Sequence, residues 1–365
     1  MRVLIEAMCA EFGGIRTYVE NLLEAWPSVF PDDDVHVLVA AGASLPVPAT
    51  MTRHEVLVRR PATAGRPLAQ TRHVAALVKL LRPDAVLATL PSTTLRHTRA
   101  PMAVVVYDLR HELRPEQFTA FRRLLRRISY GRGYAVSDGI IAISQRSLDD
   151  LHRLHPSTVR LPSVVAHLGA DHVDAWEVHQ TGPGGHAVTF AHHTNKNLDL
   201  VLAGWQRLAE TSSPPLLRIL GLGGQRRAEA AEQLAARGLS DLIALEPFLP
   251  EPEFRTALAA AGLVLFPSDF EGFGLPVAEG MRLRIPVVIG PEAATLEVAG
   301  GHAVVMADWT PESLAAAVTE ALSYDAARLD AAQEFASRYT WATTVRQTRA
   351  MLKRLAAAPA TAPAP

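Results

Sequence analysis

Two glutamates, Glu271 and Glu279, stand eight positions apart in the stretch EGFGLPVAEG, with Gly272, Gly274 and Pro276 between them. Proline is favoured in the first turn of a helix, where its missing N–H is not needed. A helix is therefore expected to open near Pro276. The turn FEGFG would then present backbone N–H groups at the positive end of that helix, which suits a phosphate or sugar hydroxyls. Gly272 and Gly274 let a ligand come close to the main chain. Glu271 falls before the helix and Glu279 about one turn into it. The two acids can thus hold two ends of one extended ligand.

Such a turn needs a strand before it and a helix after it, and the chain supplies both repeatedly. Short apolar runs at 2–8, 34–40, 54–59, 84–89, 102–108, 139–144 and 163–169 read as buried strands. Helical patterns lie between several of them, at 66–82, 115–131 and 145–154. The alternation breaks at DAWEVHQTGPGGH, which cannot continue a helix or strand. It restarts with strands at 186–192, 216–221, 242–248, 262–268 and 285–290, separated by helices at 197–210, 225–237, 252–261 and 276–283. Alternating strands and helices imply parallel sheets covered on both faces. The expected architecture is α/β, with two Rossmann-like doubly wound domains and the active site in the cleft between them. The expected boundaries are 1–180 for the first domain and 181–345 for the second. A C-terminal helix and tail, 346–365, would return to the first domain.

The 365 residues are 48% hydrophobic and 20% charged, a composition that builds packed cores. A formal net charge of −1 excludes a global field that recruits nucleic acid or an anionic membrane. Cys9 is the single cysteine, so no intramolecular disulfide can form, which fits a reducing cytoplasm. The start MRVLI is too short for a signal peptide, and no apolar run reaches the roughly 18 residues of a membrane span.

The segment FPSDFEGFGLPVAEG resembles the acid-x7-acid motif of the family-4 retaining glycosyltransferases, which have the two-Rossmann GT-B fold. The resemblance implies that Glu271 sits by the donor sugar. The turn amides of Phe273, Gly274 and Leu275 would bind sugar hydroxyls and diphosphate, and Glu279 would bond the nucleotide ribose. EFGGIRTYVENLL is similar to the family's loop over the donor phosphate, with Gly13 and Gly14 in the glycine positions. FAHHTNKNLDLVLAGW resembles the segment in which an arginine and a lysine clamp the diphosphate. Lys196 matches the lysine, and His192 or His193 stands nearest the missing arginine. Asn195 or Arg226 are the other substitutes. VVVYDLRHELRPEQF carries Tyr107 where many members have a histidine over the donor sugar, and His111 follows as a second candidate. EPFLPEPEFRTAL resembles the strand and loop whose backbone holds the base, near Phe248 and Leu249. The resemblance covers roughly residues 2–345.

It implies transfer of a sugar from a nucleoside-diphosphate sugar to an acceptor hydroxyl with retention, in natural-product or cell-surface glycan synthesis. No cofactor and no metal are implied. The alternatives are a sugar-phosphate synthase of the same fold and a non-catalytic nucleotide-sugar-binding partner protein. Adjacent His192 and His193 could suggest a metal, but neighbours at a strand end are expected to point opposite ways. The Asp-x-Asp in PDDD precedes a strand in a polar turn, and GLGG lacks the dinucleotide fingerprint. Arg122, Arg123, Arg126 and Arg127 cluster on one predicted helix. They are either a solvated face or a contact for an anionic acceptor or the inner face of a membrane. The partners expected are thus a nucleotide-sugar donor and a small-molecule, glycan or lipid-linked acceptor.

Overall fold

The computed structural model of the protein describes residues 1–10, 13–58, 62–177 and 185–358. The chain divides into two compact units: Met1–Gly169 together with the segment from Thr340, and Ala170–Tyr339.

The first unit is built on β1 (Arg2–Glu6), α1 (Gly13–Val29), β2 (Asp34–Ala40), β3 (Thr52–Val56), α2 (Ala62–Leu81), β4 (Ala85–Ala88), β5 (Met102–Val106), α3 (Arg110–Leu113), α4 (Ala120–Val136), β6 (Gly139–Ala142), α5 (Gln145–Leu154) and β7 (Ser163–Val165). Its seven strands are all parallel, in the order β3-β2-β1-β4-β5-β6-β7. The central strands are buried along their whole length, because helices cover both faces. Leu4, Leu38, Val86, Val104 and Ile140 from five neighbouring strands meet in one core with Tyr134 and Val136.

The second unit runs through β8 (Ala187–Phe190), α6 (Leu198–Ala209), β9 (Leu217–Leu220), α7 (Gly224–Arg237), β10 (Ile243–Leu245), α8 (Glu251–Ala259), β11 (Leu263–Phe266), α9 (Leu275–Arg282), β12 (Val287–Ile289), α10 (Ala293–Ala299), β13 (Val304–Val305), α11 (Pro311–Leu322) and α12 (Ala326–Ala336). Its six parallel strands lie in the order β10-β9-β8-β11-β12-β13. Trp205 of α6 and Leu314 and Val318 of α11 pack on Leu217, Ile219, Leu263 and Leu265 of the sheet. Both units therefore show the Rossmann-like parallel winding expected from the alternation of elements.

The boundaries differ from those expected. The second unit begins at Ala170, not 181, because the 3₁₀ helix Asp171–Ala175 packs on α9 and Arg282 grips Asp174 through two 2.6 Å bonds. The chain leaves that unit at Tyr339, not 345. Thr340 then caps the last helix, α13 (Trp341–Ala357), which packs on α1 and on β4–β7 of the first unit. Arg349 of α13 clasps Asp33 at 2.6 and 2.7 Å, and Thr344 donates to the His167 carbonyl. Of the TGPGG stretch where the alternation breaks, residues 181–184 lie outside the described residues. Among the described residues no helix is long and apolar enough to cross a membrane.

Candidate active site

β11 ends at Phe266 and α9 begins at Leu275, so the turn between them carries Glu271. Gly274 is the residue before the helix, at φ +90°, a conformation that disfavours any side chain. A Cβ there would also come within 3.0 Å of Thr295 Cγ2. No side-chain bond caps the helix at Gly274, and Pro276 sits in its first turn. The N-terminus of α9 thus keeps its partial positive charge available to a ligand. Phe273 is buried and holds the turn from below, its ring 5.6 Å from that of Tyr339.

Strand order explains what comes beside this turn. β8 lies next to β11, so the segment after β8 reaches the same sheet edge. That segment contains a short 3₁₀ turn, Thr194–Lys196. Lys196 Nζ lies 2.5 Å from Glu271 Oε1 and 4.0 Å from the centre of the Phe266 ring. The Glu271 carboxylate also accepts from Ser268 Oγ at 2.5 Å and from Asn195 Nδ2 at 3.0 Å. Asn195 further donates to Ser268 Oγ and to the Phe270 carbonyl, both at 2.8 Å. Lys196 and Asn195 are buried, while the Glu271 side chain keeps 16% of its surface. A charged pair at such depth stands because each partner offsets the other's lost hydration.

Glu279 has a different partner. It lies one turn into α9, only 3% exposed, and its Oε1 accepts from His172 Nε2 at 3.0 Å. His172 belongs to the 3₁₀ helix Asp171–Ala175 and packs edge-on to Trp176. The two glutamates of the motif are therefore held by separate side chains from separate segments.

The neighbouring strand ends complete the region. The rings of exposed His192 and His193 meet at 4.7 Å, contrary to the expectation that they point apart, because the chain leaves the strand at Phe190 before reaching them. Among the described residues no group of three or more His, Cys, Asp or Glu could hold a metal ion. Gly221, after β9, has φ +87°, and a Cβ on it would sit 3.1 Å from His192 Cβ. Gly221 N and Leu222 N donate to the carbonyls of Pro247 and Glu246, which ties this loop to the segment carrying Phe248 and Leu249. Phe248 is 75% exposed and Leu249 partly so. Asn195, named as a substitute for the missing arginine, instead spends its amide on the Glu271 turn. Arg226 lies exposed on α7.

The first-unit candidates are placed otherwise. Gly13 and Gly14 open α1, exposed, with Gly13 at φ +61°; Glu11 and Phe12 of that motif lie outside the described residues. The Tyr107 hydroxyl is buried without a hydrogen-bond partner among the described residues, its ring against Tyr18 at 5.4 Å, and burial pushes its ionisation far above the usual range. It is not turned to solvent, where a hydroxyl could meet a sugar. His111 is not a loop histidine: it lies in α3, 2% exposed, with its ring edge-on to Tyr130 at 4.9 Å and Nε2 3.4 Å from Glu112 Oε1. The imidazoles of His111 and His155 hold the Glu112 carboxyl at about 2. Asn195 entered the sequence reading only as a substitute for the missing arginine, not as a partner of Glu271, and Ser268 and His172 escaped it. Only Asn195 and Ser268 carried a signal there, as polar residues just past strand ends.

Comparison with known proteins falls on the same unit. Residues 186–324 match the family described as glycosyl transferases group 1. A D-inositol 3-phosphate glycosyltransferase of Thermobispora bispora is 34% identical over 131 residues, 34% of this chain and 30% of that protein. An O-antigen chain mannosyltransferase B of Escherichia coli is 31% identical over 97 residues, 26% of each chain. These matches span less than a third of the relatives' own length. Among solved structures, Anabaena HepE in complex with UDP and glucose superposes with a TM-score of 0.71 at 16% identity, covering 97% of this chain and 100% of that one. The sucrose-phosphate synthase of Thermosynechococcus elongatus gives 0.73 at 13% identity, covering 98% and 100%. The fold is GT-B. Glu271, Lys196, Glu279 and their partners Asn195 and Ser268 all lie inside the matched stretch 186–324.

Proposed function

We propose that the protein is a glycosyltransferase that moves a sugar from a nucleoside-diphosphate sugar to an acceptor hydroxyl, with retention and without a metal ion. The observation that carries this reading is the Lys196–Glu271 pair beside the uncapped N-terminus of α9, with Glu279 one turn further on. The matched family and the UDP and glucose in HepE support it.

In this reading the diphosphate takes the Lys196 ammonium and the first amides of α9. These positive groups are fixed before the bond breaks and meet the charge that grows on the departing phosphate. Glu271 keeps two further donors, Asn195 and Ser268, so its carboxylate stays in place when Lys196 turns to the diphosphate. There it faces the positive charge that develops at the anomeric carbon. The anomeric C–O bond to the diphosphate breaks with its electrons going to the diphosphate, the acceptor oxygen bonds the anomeric carbon from the same face, and a phosphate oxygen of the leaving group takes the acceptor's proton. Glu279, oriented by His172, holds the ribose.

The inward placement of Tyr107 and His111 favours one competing reading, a nucleotide-sugar binder without turnover. Slow hydrolysis of the donor in the absence of acceptor separates the two. An enzyme releases nucleoside diphosphate under these conditions, and complete stability of every bound donor would contradict the proposal.

A further inference from the structure

Helix α4 is held to the first unit by one side only. Gly133 lies so close to Pro91 that a Cβ would stand 1.8 Å from its carbonyl oxygen, and Tyr134 and Val136 enter the core. Thr119 caps the helix at its start. The opposite side carries Phe121, Leu124 and Ile128, which are 66%, 56% and 60% exposed. At 100° per residue these three fall on one narrow stripe along the helix. Exposed Arg122 and Arg127 flank the stripe on either side, and exposed Arg123 lies beyond Arg127.

The helix and the segment before β5 carry only basic charges in sequence. No acidic residue occurs between Glu116 and Asp138, nor between Asp84 and Asp108. Arg132 Nε donates to the Leu95 carbonyl, which brings exposed Arg96 and Arg99 beside the second half of the helix. Arg122, Arg123 and Arg127 have no ion-pair partner among the described residues. Arg126, grouped with them in the sequence reading, differs: its guanidinium stacks on Phe118 at 5.0 Å.

A solvated helix face needs cations but not a row of Phe, Leu and Ile. A soluble acidic partner needs the cations but not large apolar groups with arginines on both flanks. A bilayer surface uses both: apolar side chains enter the acyl boundary while long basic side chains reach the headgroups. We infer that α4 docks the protein on an anionic lipid bilayer, with Phe121, Leu124 and Ile128 inserted and Arg122, Arg123 and Arg127 on the phosphates.

The test is co-sedimentation of the full chain with vesicles of neutral lipid alone and with about one-third anionic lipid, at low ionic strength. Two variants are compared: Arg122→Gln with Arg123→Gln and Arg127→Gln, and Phe121→Ser with Leu124→Ser and Ile128→Ser. All six side chains are exposed, so unchanged melting temperatures are expected and verify that the variants fold. Wild type should bind the anionic vesicles and leave the neutral ones. The arginine variant should bind about a hundredfold more weakly, with the wild-type affinity also falling as salt rises. The serine variant, with its charge intact, should lose at least about tenfold. No binding by wild type, or equal binding to neutral and anionic vesicles, would overturn the inference. So would a serine variant that binds like wild type, which points to a soluble acidic partner. A wild-type dimer in solution that the serine changes dissociate would assign the stripe to a second copy instead.

Discussion

The turn after β11 and the segment after β5 both leave the C-terminal end of a central parallel strand, yet they treat their polar residues in opposite ways. After β11, Glu271 keeps part of its surface and is matched by Lys196, Asn195 and Ser268. After β5, the Tyr107 hydroxyl is buried without a hydrogen-bond partner among the described residues, and His111 is buried against Tyr130 and Glu112. A carboxylate at this depth must be paired or lose its charge. A phenol can remain orphaned at a cost of about 1–3 kcal/mol. The difference separates a carboxylate held by three donors from a phenol packed without one.

The largest expected effect breaks the paired region. Lys196→Ala should lower kcat by roughly a hundredfold, about 3 kcal/mol, with a smaller change in donor affinity. Because Lys196 and Glu271 touch at 2.5 Å, the loss in Lys196→Ala with Glu271→Gln should fall well short of the sum of the single losses. Additive losses in steady-state kinetics would show that the two act independently.

Next in size is Glu279. Glu279→Gln removes a charge-assisted bond worth about 1.5–3 kcal/mol, present in ground and transition states alike. KM should rise with kcat nearly kept. His172→Phe should follow the same pattern more weakly, since it frees the Glu279 carboxylate without removing it. A fall in kcat for either variant would move that end of the site to the reacting atoms.

These pairs also show where the sequence was readable. The β11–α9 turn is local: a strand, two glycines and a proline within fifteen residues of each other suffice to place Glu271 and Glu279. Lys196 was placed by its segment's resemblance, but its contact with Glu271 spans 75 positions and depends on β8 lying beside β11. His172 reaches Glu279 across 107 positions, from a stretch next to the expected linker that carries no periodic pattern. The end of the second unit at Tyr339 was hidden for a similar reason. Thr340 and Trp341 look like any helix start until α13 is seen packed on α1. Tyr107 and His111 were placed by their segment's resemblance, and a resemblance of sequence does not report burial.

The first unit also buries Glu6, at the end of β1. Burial raises its carboxyl above the usual 4.5, against bonds from Gln70 and the Met8 amide. A raised acid contributes its stability fully below 4.5 and loses it as pH rises through the folded value. Glu6→Gln stays neutral throughout. Its melting temperature should match wild type below pH 4.5 and exceed it by about 2–4 °C in mildly alkaline buffer. A difference that is flat with pH, by calorimetry, would mean that Glu6 does not titrate in the folded unit.

The smallest effect is the sharpest contrast with Lys196. Tyr107→Phe deletes a buried, unpartnered hydroxyl. It should stabilise the protein by about 1 kcal/mol and change turnover by less than about threefold. A loss like that of Lys196→Ala would show that the hydroxyl turns outward to the donor, and the two strand ends would no longer differ.

The central claim is that the second unit grips a nucleoside diphosphate between Lys196 and Glu279. Thermal shift of wild type, Lys196→Ala and Glu279→Gln against UDP-, GDP-, ADP- and dTDP-linked sugars tests it most directly, because a ligand that binds the folded state raises the melting temperature by mass action. The account predicts that donors of one base raise the wild-type temperature and that the rise shrinks in both variants, most in Glu279→Gln. It is contradicted if no donor moves the wild type, or if both variants respond as the wild type does.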